Sequence, residues 1–549
     1  MQQPSRRPVE AVALKSKLRA ATEFDRDDDD GGGGPLIKAG VQAAATTAAP
    51  RRPSPPPLAA ASPPPPPPPP PVLEPPLAAA ELDGPRLVVC VTGATGYVAG
   101  HVIHRLLAAG HVVRATCRRP DDAGATEHLW RLPGAPERLS LFRADLLAAA
   151  PGEFDAAVEG CDAVVHTASP YVVRATKNDE ARVVAPAVRG TESVLGSATR
   201  HARTVRRVVL TASTASVFAD PYDVLPAGPR PPPSSPSSSS KRRRGPATGA
   251  PPPLATEDDW NDGADRARLP YFYAKTRAER RAYELEAAQG GGGGGGGGAP
   301  DGRRCWTLAT INPPCVLGPP LSRRADGESL DQMRALLSGR IWPFTPYIGV
   351  GACDVRDVAQ AHALALAAAP AGGPGGAAAA AAAAAPRPPP PPRGRFLVAS
   401  RAEGYALHDA ARVLRRLYPR RWVPFLGVRA RALALPLCPA LGLPAAMAEA
   451  MWAKPARFSV AKAARGLGKG NGDGGGGGDG GGGGDGGAPL LPYIPFEKTV
   501  ADMAEAMIAR GMVPDEWPVV VVLGAKVLLL VVLLLVAALA AVAALARAL

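Results

Sequence analysis

The chain is poor in cysteine and histidine, with seven cysteines and eight histidines among its 549 residues. The cysteines are scattered and never form a Cys-x-x-Cys pair, which argues against a disulfide framework and favours buried thiols in a reducing compartment. His101 and His104 are the only two histidines spaced to share a helix face, and no further ligand group follows them. The sequence therefore predicts no metal site.

Long apolar runs are also absent until the C-terminus, because Ala377–Ala385 is too short to cross a bilayer. Between Val519 and Ala546 the only charge is Lys526, and the last twenty residues of that segment are all apolar. As a helix they would extend about 30 Å, the thickness of the hydrocarbon core. A transmembrane helix over 519–546 is therefore predicted, and an Ala/Leu-rich helix packed on the protein is the alternative.

Much of the chain cannot build a packed core, since its 61 glycines and 64 prolines crowd into low-complexity tracts. Residues 1–83 hold an acidic run and a proline block and are predicted to be disordered. The run Lys241–Arg244 lies in another such tract, so we interpret it as a solvated cluster and predict no nucleic-acid partner, despite a net charge of +14. Four inserts are expected to be expanded surface loops, at about 226–253, 290–298, 372–392 and 468–487.

From Arg86 onward, short β-branched runs alternate with helical stretches, the pattern of a parallel sheet covered by helices on both faces. The sequence thus predicts an α/β fold: a Rossmann-type doubly wound parallel sheet in residues 84–312 and a smaller C-terminal substrate-binding lobe in 313–515. A helix is predicted at Val98–Ala109, and strands at Leu87–Val91, Val112–Cys117, Ala163–His166, Val208–Ala212 and Trp306–Ile311.

A glycine-rich segment, Val91–Gly100, joins the first predicted strand to the first predicted helix. Gly93 and Gly96 permit a tight turn and the close approach of a dinucleotide pyrophosphate, whose charge meets backbone N–H groups at the helix N-terminus. The position between strand and helix makes the loop more specific than a glycine pattern alone. Cofactor contacts are predicted for Gly93, Thr95, Gly96, Tyr97 and Val98.

Two arginines, Arg118 and Arg119, follow the second predicted strand, where an acidic residue would hold the ribose 2′-hydroxyl of NAD. Guanidinium groups suit a 2′-phosphate instead. We therefore expect NADP(H) and place both arginines in the cofactor site, with two solvated surface charges as the alternative.

Tyr271 and Lys275 stand four residues apart on a predicted helix, so their side chains share one face. An ammonium group beside a phenol favours the phenolate and lowers the tyrosine pKa. Such a tyrosine can exchange a proton with a carbonyl oxygen, whereas Tyr273 has no lysine four residues on. Ser213, at the end of a predicted strand, is expected to hold the substrate oxygen, with Ser216 as the alternative.

With these motifs in this order, the sequence resembles the extended short-chain dehydrogenase/reductases, and among them the dihydroflavonol reductase, cinnamoyl-CoA reductase and aldehyde reductase group. The resemblance runs from about Arg86 to Met512 without the inserts, and its further motifs are Ala144–Leu146, Asp162–Pro170, Thr256–Trp260, Ile311–Pro314 and Asp354–Ala359. It implies that Ser213, Tyr271 and Lys275 form a catalytic triad. It also implies cofactor contacts at Asp145, Leu146, Thr167, Ala168, Ser169, Tyr271, Lys275 and Pro313.

The resemblance implies an NADP(H)-dependent oxidoreductase that transfers hydride to or from a small-molecule carbonyl or alcohol, and it is compatible with a homodimer. Phe218 stands about where dihydroflavonol reductases carry a substrate-binding asparagine, and the residues from Tyr271 to Lys275 depart from the cinnamoyl-CoA reductase signature. The substrates of those plant enzymes are therefore not implied. Two other functions stay open: a membrane-bound 3β-hydroxysteroid or sterol dehydrogenase, and a non-catalytic NADP(H)-binding scaffold or sensor.

The predicted C-terminal helix makes a membrane the expected location, with the catalytic domain on the cytosolic side and the endoplasmic reticulum as the expected membrane. The first two dozen or so residues are basic enough to suggest a transit peptide. A plastid location is therefore the alternative, although the acidic run Asp25–Asp30 follows closely.

Overall fold

The computed structural model describes residues 86–148, 151–169, 183–218, 254–264, 269–289, 305–324, 327–366, 392–402, 404–429, 438, 448–449, 451–452, 456–467, 491, 493–514 and nine positions between 524 and 542. The predicted disordered region 1–83 lies outside the described residues. So do the predicted inserts 226–253, 290–298 and 468–487, and all of 372–392 except Pro392.

Fifteen strands occur in this described part of the chain. They are β1 (Val88–Thr92), β2 (Val112–Cys117), β3 (Leu139–Arg143), β4 (Ala163–His166), β5 (Arg207–Thr211), β6 (Leu254–Ala255), β7 (Thr307–Asn312), β8 (Cys315–Leu317), β9 (Phe344–Pro346), β10 (Gly349–Val350), β11 (Ala352–Asp354), β12 (Gly394–Leu397), β13 (Tyr405–Ala406), β14 (Leu426–Val428) and β15 (Arg457–Phe458).

Eleven α-helices have their bounds in the same described ranges. They are α1 (Tyr97–Ala108), α2 (Ala123–Trp130), α3 (Ala135–Arg138), α4 (Asp155–Val158), α5 (Ala185–Arg200), α6 (Pro270–Ala288), α7 (Glu328–Leu337), α8 (Val355–Leu366), α9 (Leu407–Leu417), α10 (Ala461–Gly466) and α11 (Phe496–Ala509).

Seven strands form one sheet in which every pairing is parallel, in the order β3-β2-β1-β4-β5-β7-β12. The chain first adds β2 and β3 on one side of β1, and then adds β4 and the later strands on the other side. Strand order therefore reverses between β1 and β4, which is the point at which doubly wound sheets bind their ligands. The predicted Rossmann-type α/β fold is confirmed.

Successive side chains of the central strands alternate between two hydrophobic cores. Val89 and Val91 of β1 belong to the core shared with α1 and α8, whereas Cys90 belongs to the core shared with α5 and α6. Because helices cover both faces, these strands can be apolar throughout. All seven cysteines are free thiols, and six of them are buried.

A further hydrophobic core joins α7, α9 and α11, three helices that are far apart in the sequence. Within it, Tyr405 of β13 stacks on Phe496 of α11, with 3.7 Å between the ring centroids. This core places α7, with Glu328 at its first turn, beside the carboxyl ends of the sheet strands. It therefore supplies a second wall to the site described below.

The predicted strands agree with the observed ones to within one residue. Those predicted at 112–117 and 163–166 have these bounds. Three others are displaced by a single residue, namely Leu87–Val91, Val208–Ala212 and Trp306–Ile311. The predicted helix Val98–Ala109 is α1, which is displaced likewise.

The predicted transmembrane segment 519–546 is described at nine helical positions only. Seven of these carry exposed large apolar side chains: Val527, Leu528, Val531, Val532, Leu535, Leu539 and Val542. They belong to the run 527–546, in which every residue is apolar. Among the residues that the structure describes, no helix is both long and apolar enough to cross a membrane.

Candidate active site

A cavity of about 620 Å³ lies where the strand order reverses, beyond the carboxyl ends of β1 and β4. Its volume is typical of a small-molecule site. Arg118, the glycine loop, Ser213, Tyr271 and Phe458 are among the residues that line it. Every predicted site residue except Arg119 lines this cavity, although these residues come from widely separated stretches of the chain.

The loop between β1 and α1 leaves room for a ligand to approach the backbone. Gly93 has a φ of +74°, and a Cβ at this position would come within 3.0 Å of Ala168. Gly96 donates its N–H to the Gly93 carbonyl at 2.8 Å, which closes the turn directly before α1 begins. The helix N-terminus therefore faces the cavity with N–H groups suited to a pyrophosphate. The loop residues that line the cavity beside the glycines are Thr95, Tyr97 and Val98.

The two arginines after β2 have different surroundings. Arg118 lines the cavity, whereas the Arg119 side chain is 79% exposed and its Nη2 lies 3.1 Å from Asp122 Oδ2. The structure thus places Arg118 in the predicted cofactor site and leaves Arg119 outside it. Arg119 instead points to solvent and pairs with Asp122, the residue directly before α2.

Asp145 and Leu146, which follow β3, line the same end of the cavity as Arg118. The Asp145 carboxylate accepts the N–H of Leu147 at 3.0 Å, and the Asp145 N–H donates to the Glu153 carboxylate at 2.8 Å. These bonds hold the turn after β3 in one conformation and present its backbone to the cavity.

Thr167, Ala168 and Ser169 leave β4 and pass along the cavity. Thr92, the last residue of β1, holds this segment, because its Oγ1 accepts the Ala168 N–H at 3.1 Å and hydrogen-bonds His166 Nδ1 at 2.8 Å. The carboxyl ends of β1 and β4 are therefore tied together at the floor of the site.

Tyr271 lies in the first turn of α6, and its phenol is hydrogen-bonded to the side chain of Ser213. Ser213 caps the short 3₁₀ helix Thr214–Ser216, and its Oγ accepts the Ala215 N–H at 3.1 Å. Pro313, which follows β7, accepts the Thr214 N–H at 3.0 Å and so holds this segment in place. Lys275 lines the cavity one helical turn after Tyr271.

The protonation of these groups follows from their enclosure. Burial raises the pKa of Tyr271 above its ordinary value, the Glu328 carboxylate raises it further, and the Ser213 hydrogen bond opposes both. Burial lowers the pKa of Lys275 to about 8, against the opposing effect of Glu279. Desolvation of the phenol is therefore the largest effect on the Tyr271 pKa in this cavity, and a lowering of that pKa by Lys275 stays a prediction.

A buried ion pair involves α6, the helix that carries Tyr271 and Lys275. The side chains of Glu279 and Arg395 are 0% and 6% exposed, and Arg395 Nε lies 2.9 Å from Glu279 Oε1. Glu279 also accepts hydrogen bonds from Thr310 Oγ1 at 2.7 Å and from Asn312 Nδ2 at 3.1 and 3.0 Å. The Arg395 guanidinium lies 3.9 Å from the centre of the Trp260 ring. This network joins α6 to β7 and β12 and fixes the helix that carries Tyr271 and Lys275.

Ser216 and Tyr273 belong to the surroundings of the site. Ser216 is fully buried, its Oγ donates to the Ser213 carbonyl at 2.6 Å, and it also contacts Glu279. Tyr273 packs against an apolar cluster that includes Val183 and Val184. Of these four hydroxyl-bearing candidates, Ser213 and Tyr271 line the cavity, whereas Ser216 and Tyr273 do not.

The sequence of this chain is similar to those of several known proteins. Residues 89–244 match the NAD-dependent epimerase/dehydratase family. A cinnamoyl-CoA reductase from Medicago truncatula is 31% identical over 340 residues, which cover 61% of this chain and 82% of that protein. Tetraketide alpha-pyrone reductase 2 from Arabidopsis thaliana is 33% identical over 278 residues, which cover 50% of this chain and 73% of that protein.

This chain belongs to the NAD-dependent epimerase/dehydratase family. The two relatives named above are reductases, and so is a dihydroflavonol 4-reductase from Zea mays, which is 33% identical over 256 residues, 46% of this chain and 58% of that protein. The crystal structure of yeast methylglyoxal/isovaleraldehyde reductase complexed with NADPH shares the fold. Its TM-score is 0.50 at 20% identity, and the match covers 78% of this chain and 100% of the yeast chain.

In this epimerase/dehydratase-family chain, the segment after β8 adds a contact that the sequence did not indicate. Tyr97 Oη donates to the Gly318 carbonyl at 2.7 Å, and His101 Nε2 is hydrogen-bonded to the Pro319 carbonyl at 2.9 Å. These bonds bring the segment over the glycine loop, where Arg324 Nη1 lies 3.1 Å from Thr95 Oγ1. A cation thus lies beside the loop, from a residue 229 positions away in the sequence.

Proposed function

We propose that this chain is an NADPH-dependent carbonyl reductase that converts an aldehyde or ketone to the alcohol. The observation that carries the proposal is the Tyr271–Ser213 contact inside a cavity that the glycine loop also lines. NADPH bound there would supply hydride to the carbonyl carbon. The reverse oxidation of a secondary alcohol would use the same groups.

Tyr271 would supply the proton. Its raised pKa keeps the phenol protonated at neutral pH, as a proton donor must be. Negative charge develops on the carbonyl oxygen as the carbon is reduced, and a hydroxyl within hydrogen-bonding reach neutralises that charge by proton transfer. Ser213 is bonded to the same phenol and would orient the carbonyl oxygen toward it.

Lys275 would stabilise the phenolate that remains after proton transfer. With a pKa of about 8, its amine is mostly charged at neutral pH and loses that charge as the pH rises through 8. A cation close to the phenolate favours the charged form. The Glu279–Arg395 pair supports this role, because Glu279 raises the Lys275 pKa and is itself held in place by Arg395.

A preference for NADP(H) over NAD(H) is supported by Arg118, which lines the cavity at the end of β2. A guanidinium at this position suits a 2′-phosphate, to which it can donate two parallel hydrogen bonds. Gly93 supplies the cradle for the pyrophosphate, and Arg324 would add a positive charge beside it.

Membrane anchoring by residues 519–546, with the endoplasmic reticulum as the expected membrane, is part of the proposal. It is supported by the twenty consecutive apolar residues that end at Ala546. The seven exposed apolar side chains among the described positions of the segment also support it, since water would solvate such a face poorly.

The proposed activity is tested by following NADPH oxidation by the purified full chain with a panel of aldehydes and ketones. Tyr271→Phe removes the proton donor and is expected to lower kcat by about 10²- to 10⁴-fold. The dissociation constant for NADPH, measured by nicotinamide fluorescence, should stay unchanged. Tyr273→Phe is the matched control, because it removes a hydroxyl from the same helix outside the site, and should retain full activity.

Three other outcomes of these assays would each favour a different conclusion. Undiminished turnover by Tyr271→Phe would contradict the assigned role of this tyrosine. A parallel assay with NADP and a 3β-hydroxysterol covers the sterol dehydrogenase alternative, which alone requires turnover there. Tight NADPH binding without turnover of any carbonyl or sterol would instead favour the scaffold.

A further inference from the structure

Helix α9 and the turn that follows it carry a basic surface. Residues 407–429 contain six arginines and one acidic residue, Asp409. One face of α9 is buried in the core that it shares with α7 and α11, through Leu407, Ala410, Ala411 and Leu414. The basic surface consists of four exposed residues of the helix and the turn, namely Arg412, Arg416, Leu417 and Arg420. Its helical part is therefore the face of α9 that the core leaves uncovered.

The charges of the basic surface are only partly neutralised within the protein. Asp409 pairs with Arg412. Arg416 and Arg420 form no ion pair with any residue in the described part of the chain. Burial lowers the pKa of Arg415, and the charges of Arg412 and Arg416 lower it further. Like charges one helical turn apart are destabilising, so an external anion beside them would stabilise this face.

The chain leaves α11 next to the basic surface. Arg421 is buried, and its Nη1 donates to the Pro514 carbonyl at 2.6 Å. Val513, directly before Pro514, is buried in the core shared by α7, α9 and α11. Because Arg421 directly follows Arg420, Pro514 is held beside the turn of the basic surface. The apolar segment begins at Val519, five residues later, and an extended chain of that length spans at most about 18 Å.

We infer that the basic surface of α9 binds the anionic phospholipid headgroups of the membrane in which the C-terminal segment is anchored. The inference rests on the anchoring proposed for residues 519–546 and adds a second membrane contact, made by the catalytic unit itself. The potential of an anionic leaflet decays within a Debye length of about 8 Å, so such a contact needs a basic surface held close to the bilayer.

Two features of the surface favour a bilayer as its partner. Leu417 is 48% exposed beside the arginines, and an apolar side chain beside cations is typical of helices that lie in a membrane interface. The short connection from Pro514 to the apolar segment also makes the headgroup contact intramolecular in effect once the segment has inserted. A modest attraction is then sufficient to fix the orientation of the catalytic unit on the membrane.

The test separates the basic surface from the anchor. It uses the full chain as wild type and as a tail variant, Leu535→Asp combined with Leu539→Asp, whose C-terminal segment is expected not to insert. Aspartate gives the tail no attraction for anionic lipid. Cosedimentation with vesicles of phosphatidylcholine alone, and of phosphatidylcholine mixed with phosphatidylserine, measures the affinity of each protein. The surface is then altered in the tail variant by Arg416→Gln combined with Arg420→Gln.

Arg203→Gln combined with Arg206→Gln, also in the tail variant, is the matched control. It removes the same charge from two exposed arginines that precede β5, outside the basic surface. None of the four arginines lines the cavity, so NADPH affinity should stay unchanged and serves with the thermal unfolding midpoint as a check on folding. Filter retention of a single-stranded RNA by the same proteins tests the other polyanion that a basic surface could bind.

The tail variant is expected to bind vesicles that contain phosphatidylserine in preference to phosphatidylcholine alone, and to bind them more weakly as salt is added. Arg416→Gln with Arg420→Gln should weaken this binding by about thirtyfold, since each arginine beside an anionic surface strengthens binding about fivefold. The control pair should bind like the tail variant. Amide hydrogen exchange across 415–422 should also slow on the anionic vesicles.

Three results would overturn the inference. They are unchanged vesicle binding after loss of Arg416 and Arg420, an equal loss in the control pair, and a loss of RNA binding alone, which would assign the surface to a nucleic acid. A wild-type chain that high salt releases from the vesicles as readily as the tail variant would instead contradict the anchor. The two proposals therefore fail in different measurements.

Discussion

At the scale of single residues, the two arginines after β2 have neighbouring positions and separate roles. Arg118 lines the cavity, whereas Arg119 pairs with Asp122. Asp122 also caps α2, since its Oδ1 accepts the Ala125 N–H at 3.1 Å. An exposed ion pair of this kind adds little stability, so its loss leaves the fold intact. The two arginines therefore offer a matched comparison that tests the choice between NADPH and NADH.

Arg118→Gln is expected to weaken NADPH binding by about tenfold to hundredfold and to leave NADH binding unchanged, because only NADPH carries the 2′-phosphate. Arg119→Gln, the control, should change neither. The test measures the dissociation constants of NADPH and NADH for both variants by fluorescence or calorimetry. Equal weakening of NADPH and NADH in Arg118→Gln would speak against a 2′-phosphate contact.

The residues nearest the chemistry could be predicted because their signal is local. Tyr271 and Lys275 are separated by one helical turn, and Ser213 lies two residues after the end of β5. Glu279 was within reach of the same reasoning, since it lies four residues after Lys275. Arg395 and Arg324 were not, because they reach the site from distant segments and carry no spacing signal of their own.

At the scale of elements, central strands were easier to predict than edge strands. A strand buried on both faces is a run of β-branched and apolar residues, as in β1, β4 and β5. The strand β3, at one edge of the sheet, has partly exposed residues and a weaker pattern. At the other edge, β12 follows a proline-rich stretch, so the sequence pattern does not indicate where this strand begins. Neither edge strand was predicted.

The C-terminal segment gives a prediction for an element as a whole. The full chain is expected in the membrane fraction after carbonate extraction. Leu535→Lys combined with Leu539→Lys should move it to the soluble fraction, because each lysine at the centre of a spanning helix costs about 2.5–3.5 kcal/mol. Replacement of both residues by isoleucine is the control and should leave the chain in the membrane. A wild-type chain that stays soluble throughout would contradict the anchor.

At the scale of the whole molecule, the sheet topology followed from the alternation of strands and helices, whereas the second wall of the site did not. The wall depends on α7, α9 and α11, which pack together although long stretches of chain separate them. Pairing of distant amphipathic helices has no signature in any one window of sequence. The position of Glu328, which lines the cavity from α7, depends on that packing and so became visible only in the structure.

The reaction proposed for this whole arrangement is the direct transfer of hydride from NADPH to a carbonyl carbon. The most direct measurement uses NADPH that carries deuterium at both C4 positions. Mass spectrometry then determines the number and position of deuterium atoms in the alcohol formed from the best aldehyde of the panel. We expect one deuterium, bonded to the former carbonyl carbon, in the wild-type product and almost no product with Tyr271→Phe. An alcohol without deuterium at that carbon, or NADPH consumption without any alcohol, would contradict it.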